Sequence, residues 1–258
     1  GTLVSALTKK GFDVNGTLAA KYEALKNVDS KYGFKYGRVG GYGGANTNYM
    51  PYYAANEAGW NEISSATLGS IKDHGDAAVM VLSRSAGEDW DISEWIRDKA
   101  VDGTNNHLQL SVEEAEVLEQ LAKLKGEQRI GKIVVLLNTA NPLQFDELLK
   151  DKYGVDACVL IGQGGTESYV QIADVLAGGG DHVVSGHLAD TLLMDNRSAP
   201  SYANFGDYDW TAANTSGIPD WDKEYGEYYQ THNRKYIVYQ EGIYVGYRYY
   251  ETRYEDLV

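Results

Sequence analysis

Three short runs of apolar residues recur along the middle of the chain: AAVMVLS (77–83), KIVVLLN (132–138) and DACVLIG (156–162). None of them alternates with polar residues, as a strand with one solvent-facing side would do. A continuous apolar run of this length, bounded by polar residues, is typical of a strand that is covered on both faces of a parallel sheet. The pattern therefore predicts three buried strands.

The segment between the first two runs has helical periodicity. Ser111 and Glu114 have the spacing of a capping box, in which each side chain bonds the backbone N–H of the other residue. The apolar positions that follow fall on one helical stripe, formed by Ala115, Leu118, Leu121 and Ala122. A helix is therefore predicted to begin after Ser111.

Two further helices are predicted from start and stop signals. One is expected to begin near Pro142 and to end at Gly154, and another over residues 167–180 is expected to end at Gly178. Strand and helix then alternate along the chain, which predicts an α/β fold in the form of a three-layer α/β/α sandwich with a mostly parallel sheet.

The flanking segments have other patterns. Residues 2–26 suggest two helical pieces with a turn at Gly11, whereas 28–61 and 200–235 are expected to be long loops rich in aromatic and polar residues. Residues 236–258 form a tyrosine-rich tail that is expected to be extended. Since no linker divides the sequence, a single domain over 1–258 is predicted.

Charge and composition narrow the functional classes. A net charge of −14 argues against a nucleic-acid partner and against an anionic membrane surface. No run approaches the roughly 20 apolar residues of a membrane span. The five histidines lack ligand spacing and no cofactor motif is evident, so neither a metal nor a cofactor is predicted. Cys158, the one cysteine, is expected to be a buried thiol and leaves both cytoplasmic and secreted locations open.

Two segments after predicted strands contain candidate chemistry. GQGGTES (162–168) opens a helix, so it either cradles a phosphate group or permits a tight strand-to-helix turn, and the missing P-loop lysine favours the turn. SRSAGEDWD (83–91) is acidic and lies where α/β sheets bind ligands. A carboxyl group beside Trp90 would be partly removed from water, which favours its protonated form and suits a general acid. The alternative is an ordinary solvated loop.

Four segments, taken in order, resemble the second domain of glycoside hydrolase family 3, which contains β-glucosidases and β-xylosidases. The family patterns SGEGxDR, VVVLNxxxP, GQEGGxAxADVLxGxxxPSGxLxxT and YxEGIYVGYRYYET are similar to residues 85–91, 134–142, 162–191 and 239–252. The resemblance implies a sheet of roughly six strands whose first strand should precede Thr2, so the chain is expected to be a piece of a longer enzyme. It also implies a separate TIM-like barrel that carries an aspartate nucleophile.

The resemblance further implies the roles of individual residues in a retaining exo-β-glycosidase. Glu88 matches the acid/base glutamate of the SGEG loop. Trp90 is then a candidate platform for the leaving-group sugar, and Arg84 and Asp91 are assigned to the substrate-binding side of the site, where they would orient the loop. The expected substrate is a β-linked oligosaccharide or an aryl glycoside, and this chain alone is expected to be inactive.

Three positions depart from the family pattern: Asp89 replaces a glycine, Ile92 an arginine and Val184 a proline. A negative charge at Asp89 favours the protonated form of Glu88, and the loss of the arginine removes an organiser of Asp91. The alternative is therefore a carbohydrate-binding or structural domain that has lost the chemistry. A nucleotide-binding domain is a further alternative that rests only on residues 162–168.

Overall fold

The structure is a computed structural model, and it describes residues 1–28, 56–84, 100–101, 103–104, 106–165, 167–179, 184, 186–202, 208–209, 235–236 and 238–257. The chain divides into two compact units, Gly1–Leu192 and Leu193–Val258. The single domain expected over 1–258 stays a prediction.

The first unit alternates helices and strands in the predicted order. Single turns of 3-10 helix lie at Ile71–Asp73 and Asp151–Tyr153. The other elements are α1 (Leu3–Lys9), α2 (Gly16–Val28), α3 (Trp60–Ser70), β1 (Ala77–Arg84), α4 (Val112–Gly126), β2 (Lys132–Thr139), α5 (Phe145–Leu148), β3 (Ala157–Leu160) and α6 (Ser168–Leu176). α2 ends at Val28 and α3 begins at Trp60, so both helices reach into the loop predicted at 28–61. Residues 29–55 of that loop lie outside the described part of the chain.

The three predicted strands form one parallel sheet in the order β1-β2-β3. In its register Val81 lies beside Leu136, which lies beside Val159. The predicted α/β class and parallel sheet are therefore confirmed. In the described ranges this sheet has three strands, and the full set of roughly six stays a prediction.

One face of the sheet forms the main core together with α4. Its buried side chains include Leu82, Ile133 and Leu137, and Leu118 of α4 belongs to the same cluster. Each such side chain stabilises the fold by about 1.5–3 kcal/mol. Burial on both faces was predicted for every strand, but it holds best for the central β2. On β1, Val79 is 40% exposed, so one face of this strand is incompletely covered by the described residues.

The local helix signals are confirmed at three places. Ser111 and Glu114 form the predicted capping box at the start of α4. Gly11, with φ of +93°, lies between the two N-terminal helices. Gly178 follows the end of α6 with φ of +67°, and its N–H and that of Gly179 bond the carbonyls of Val175 and Asp174 in a Schellman arrangement.

The single helix predicted between Pro142 and Gly154 is wrong. The segment forms α5 and a separate 3-10 turn, because the backbone of Lys150 is extended between them. The Glu147 carboxylate accepts hydrogen bonds from Lys150 Nζ and from the Tyr153 hydroxyl, which draws the second piece back over the first. Gly154 ends the 3-10 turn in the left-handed conformation, as predicted for the end of this segment.

The second unit contains a two-stranded antiparallel pair, β4 (Tyr208–Asp209) and β5 (Lys235–Tyr236), a 3-10 turn at Asn196–Ser198 and a helix α7 (Tyr247–Leu257). β4 and the first residue of β5 fall within the loop predicted over 200–235, of which residues 203–207 and 210–234 lie outside the described part. None of the helices in the described ranges is long and apolar enough to span a membrane.

The extended tail predicted for 236–258 is wrong from Tyr247 onward, where α7 begins. Tyrosine favours strands only when it packs on a sheet, and its strand preference depends on that context. In this segment the tyrosines at 247, 250 and 254 instead recur at the spacing of a helix. Within this helix the Thr252 hydroxyl donates to the Arg248 carbonyl at 2.6 Å, one turn earlier.

Candidate active site

The acidic loop of the candidate site begins directly after β1, which ends at Arg84. Glu88, Trp90 and Asp91 lie outside the described residues, as do Asp89 and Ile92, so their roles stay predictions. The structure describes a frame formed by the residues on either side of this segment. That frame consists of the carboxyl end of β1, the segment that leads back to Ser111, and the first turn of α4.

Arg84 and Glu114 form a buried ion pair at the centre of this frame. Arg84 Nη1 donates to Glu114 Oε1 at 2.6 Å, and Nη2 donates to Oε2 at 2.7 Å. Their side chains are only 6% and 4% exposed. Two parallel hydrogen bonds between a guanidinium and a carboxylate fix both the distance and the direction of the contact. The last residue of β1 is therefore tied to the first turn of α4.

The same guanidinium also binds the segment that leads back to α4. Arg84 Nε donates to the His107 carbonyl at 2.6 Å, and Nη2 donates to the Gln109 carbonyl at 2.7 Å. A further bond from Nη1 reaches the carbonyl of Ser83 at 2.9 Å. Direct contact between Arg84 and a sugar stays a prediction. The contacts of Arg84 with these three carbonyl groups are those of a side chain that holds the backbone in place.

Glu114 performs a second task with the same carboxylate. Its Oε2 accepts from the Ser111 N–H at 2.8 Å, while the Ser111 hydroxyl accepts from the Glu114 N–H at 3.1 Å. The negative charge also lies at the N-terminus of α4, which favours an anion. The carboxylate thus has partners on both oxygens, which is the condition under which a buried charge is tolerated.

The end of β2 adds polar groups beside the end of β1. Asn138 Nδ2 donates to Ser83 Oγ at 3.2 Å across the two strands. After β2 the chain turns through Thr139, whose hydroxyl accepts from the Asn141 N–H at 2.8 Å. The Gln144 N–H then donates to the Leu108 carbonyl at 2.6 Å. Two motifs that are about 50 residues apart in sequence therefore meet at the carboxyl edge of the sheet, where α/β folds bind ligands.

The glycine-rich segment after β3 has the geometry of a tight turn. Gly162 has φ of +62°, and a Cβ at Gly164 would lie 2.5 Å from the Ser168 Cβ. Both positions therefore require glycine for the chain to turn into α6. The geometry of the turn therefore explains why both residues are glycine. This agrees with the strand-to-helix turn that the sequence favours over phosphate binding.

The described part of the chain contains potential metal ligands and the cysteine thiol. Within the described ranges no group of three or more His, Cys, Asp or Glu side chains is arranged to hold a metal ion. Cys158 is partly buried, and burial raises the pKa of its thiol to about 11. The thiol is therefore protonated near neutral pH, which agrees with the structural role predicted for it.

Sequence reasoning found Glu114 as a cap but missed it as the partner of Arg84. A signal was present, because an arginine at the end of a buried apolar strand needs a nearby anion. The two residues are 30 positions apart, however, and only the packing of α4 against the sheet brings them together. Sequence spacing alone therefore could not pair them.

The chain is similar to several known proteins. Residues 13–247 match the Glycosyl hydrolase family 3 C-terminal domain. A β-glucosidase of Ruminococcus albus is 30% identical over 183 residues, which is 71% of this chain and 15% of that protein. A crystal structure of a β-glucosidase from Paenibacillus barengoltzii aligns with a TM-score of 0.46 and 23% identity, over 76% of this chain and 16% of that one. The chain thus spans a small part of the length of these relatives. On the extent of the family match, the chain belongs to the C-terminal domain family of glycosyl hydrolase family 3.

Proposed function

We propose that this chain is the acid/base-bearing α/β domain of a retaining exo-β-glycosidase, and that it cleaves terminal β-linked sugars together with a separate barrel domain. The observation that carries the proposal is the position of the Ser85–Asp91 segment in the sequence of this family member. It follows directly in sequence on Arg84, the last residue of β1, which lies at the carboxyl edge of a parallel sheet. The β-glucosidase name of the Ruminococcus albus relative supports the substrate class.

The proposed chemistry assigns one carboxyl group to this chain. In retaining hydrolysis two carboxyl groups lie about 5–5.5 Å apart on either side of the glycosidic bond. One attacks the anomeric carbon while the other protonates the departing oxygen, and the second then removes a proton from the water that releases the sugar. Glu88 takes this acid/base role, and the aspartate nucleophile comes from the barrel.

Three further residues support the acid/base loop in this proposal. Trp90 offers an apolar ring on which the leaving-group sugar can stack. Asp91 orients the loop from within, and Arg84 holds its base through the contacts with Glu114 and with the backbone of 107–109. The substrates are β-linked oligosaccharides and aryl β-glycosides.

The proposal is tested by Glu88→Gln in the enzyme that includes the barrel. Glutamine keeps the shape of the side chain but donates no acidic proton, so kcat on an alkyl glucoside should fall about 10²–10⁴-fold. A dinitrophenyl glucoside needs little protonation of its leaving group, so its first step should be affected much less. The second step still needs a base, so azide should restore turnover of the dinitrophenyl glucoside, because it attacks the anomeric carbon of the intermediate without a base and leaves as the glycosyl azide.

Asp89→Asn is the matched control, since it removes the neighbouring carboxylate from the same loop. It is expected to leave the ratio of the rates on the alkyl and dinitrophenyl glucosides as it is in the parent enzyme, and azide should not increase its turnover. Equal losses on alkyl and dinitrophenyl substrates for Glu88→Gln, without azide rescue, would assign the acid/base role to another residue. If Asp89→Asn alone shows the selective loss, the role belongs to Asp89.

A second function, binding without catalysis, is favoured by one observation, the replacement of two family positions by Asp89 and Ile92. A binding domain would take up sugar in the absence of a barrel. Calorimetric titration of the 258-residue chain with glucose, cellobiose and xylobiose distinguishes the two functions. Saturable binding, combined with a Glu88→Gln enzyme of normal activity, would replace the proposed function by this one.

A further inference from the structure

Arg84 occupies a particular place relative to the predicted acid/base residue. It is the last residue of β1 and precedes Glu88 by four positions. Its guanidinium binds the strand that the chain leaves, through Ser83, and the segment on which the chain returns, through His107 and Gln109. One side chain therefore joins both ends of the excursion that contains Glu88.

We propose that Arg84 and Glu114 form a positioning unit for the acid/base loop, so that the pair sets the placement of Glu88 relative to the glycosidic oxygen; this rests on the function proposed above. Neither residue touches the substrate in this scheme. Arg84 acts through the backbone on either side of the loop, and Glu114 acts through Arg84. Both are positioning residues rather than catalytic ones.

Burial and geometry argue that the pair does more than stabilise the fold. Two charges taken out of water gain little net stability, and well-packed apolar residues often do as well in their place. Apolar contacts, however, do not fix the relative orientation of the groups that make them. Arg84 makes five hydrogen bonds from a planar group to a carboxylate and to three carbonyl oxygens, which fixes three chain segments relative to one another: β1, residues 107–109 and α4.

Positioning of this kind has a large effect on proton transfer. A general acid must lie within hydrogen-bond reach of the oxygen that it protonates. Displacement of a reacting group by about 1 Å can cost about 100-fold in rate. Ala100 and Ser111 form an isolated antiparallel bridge, in which the Val101 N–H donates to the Leu110 carbonyl at 3.0 Å, so the chain at residues 100–101 is paired with the returning segment. A change at Arg84 is therefore transmitted to both ends of the loop.

A second ion pair on the same helix provides a matched control. Lys125 near the end of α4 donates to Asp156 Oδ2 at 2.7 Å, and that carboxylate also accepts from the Ile133 N–H at 2.7 Å. This pair ties α4 to the amino ends of β2 and β3, at the edge of the sheet opposite the candidate site. Its loss should weaken the packing of α4 without altering the loop.

The test compares Arg84→Lys and Glu114→Gln with Lys125→Met, each in the enzyme that includes its barrel. Lysine keeps the charge but lacks the planar fork, and glutamine keeps a capping side chain but lacks the charge. For both, kcat/KM on an alkyl glucoside should fall about 10–100-fold, whereas kcat/KM on a dinitrophenyl glucoside should fall less than about threefold, because its first step needs little protonation. The second step needs the base with either substrate, so kcat on the dinitrophenyl glucoside should fall, and azide should restore part of that loss. Lys125→Met should leave the ratio of the two substrates unchanged.

Melting temperatures separate positioning from damage to the fold. If the single variants do not fold, the double variant Arg84→Met with Glu114→Leu removes both charges and is expected to fold. It should still show the selective loss on the alkyl substrate. Equal losses on both substrates, or a substrate ratio that matches that of Lys125→Met, would overturn the positioning role.

The Glu88→Gln variant distinguishes this inference from the function on which it rests. If Glu88→Gln shows the selective loss and the azide rescue while Arg84→Lys shows neither, the inference fails and the proposed function stands. If Glu88→Gln itself shows neither, the proposed function fails first.

Discussion

The hydroxyl of Tyr153 donates a hydrogen bond to Glu147 Oε1 at 2.7 Å, and the tyrosine side chain is fully buried beneath α4. Burial opposes the ionisation of Glu147, but hydrogen bonds from Lys150, Tyr153 and Lys152 outweigh it and lower the pKa of the carboxyl group from 4.5 to about 2. Burial, together with the bond to Glu147, raises the pKa of Tyr153 to about 12. This cluster stabilises the break between α5 and the turn that follows it.

We expect the free energy of unfolding to decrease as the pH is lowered, because the Glu147 carboxylate becomes protonated. The pKa of the folded state lies below that of the unfolded state, so the stabilisation is fully present above pH 4.5 and is lost as the pH falls towards 2. The shift corresponds to at most about 3 kcal/mol, and the half-exposed lysine partners reduce this to about 1–2 kcal/mol.

Urea unfolding of Glu147→Gln between pH 7 and pH 2.5 tests this expectation. The variant should be less stable than the parent chain at pH 7 and should approach it at low pH. Glu119→Gln, which removes an exposed carboxylate that contacts the same Lys152, is the control and should leave the pH dependence unchanged. A constant difference between Glu147→Gln and the parent at every pH would contradict the assignment.

The approach of two backbone segments before β1 and β2 predicts a strong effect of small side chains. A Cβ at Gly75 would lie 2.5 Å from the Arg129 carbonyl oxygen, and one at Gly131 would lie 2.8 Å from that of Asp76. Because backbone must shift in either case, Gly75→Ala and Gly131→Ala should each destabilise the chain by about 1–3 kcal/mol. Gly69→Ala, in α3 with open space around the new Cβ, should instead stabilise it by about 0.5–1 kcal/mol. Thermal unfolding of the three variants should therefore give shifts of opposite sign.

The capping box at the start of α4 predicts a measurable cost for one hydroxyl group. Ser111→Ala leaves the Glu114 N–H without its acceptor, so the free energy of unfolding should fall by about 1 kcal/mol. Ser65→Ala removes an exposed hydroxyl from the middle of α3 and should change little. Equal effects of the two substitutions in urea unfolding would show that the cap contributes nothing.

Two tyrosines on separate elements should respond very differently to truncation. Tyr153 is fully buried, so Tyr153→Ala should cost about 3–5 kcal/mol. Tyr247, in the first turn of α7, is 54% exposed, and Tyr247→Ala should cost about 0.5 kcal/mol or less. Calorimetric melting of the 258-residue chain measures both. A large loss for Tyr247→Ala would mean that its ring is buried in solution.

The parts of the fold that depend on neighbours in sequence were predictable. The apolar runs of β1, β2 and β3 gave strand bounds within two residues, because a continuous run can be satisfied only by burial. The capping box of α4 and the glycine after α6 were equally local, since each bond joins residues three to five positions apart.

The remaining features depend on contacts that sequence patterns do not encode. The break after α5 follows from the bonds that converge on Glu147, and α7 forms where tyrosine composition suggested an extended chain. At the candidate site, Glu88 was identified through resemblance to a family motif. Its frame was not, because Arg84 and Glu114 meet only after the sheet and α4 have packed.

The 258-residue chain by itself should hydrolyse no glycoside. Retaining hydrolysis needs a nucleophile and an acid/base residue on opposite sides of one glycosidic bond. Of these two catalytic carboxyl groups, the sequence contains a matching position only for the acid/base residue, Glu88. Asp89 and Asp91 share the same short loop. A carboxyl group that acts without a positioned sugar also forgoes the advantage of a closed site, which is about 7–11 kcal/mol in favourable cases.

The purified chain at high concentration, incubated with aryl β-glucoside and β-xyloside, should therefore release no phenol, and activity should appear when a matching barrel is added. The Glu88→Gln chain is the control. Turnover by the chain that this substitution abolishes would contradict the division of roles and would place a second catalytic carboxylate within these 258 residues, whereas turnover that survives it would come from a contaminant.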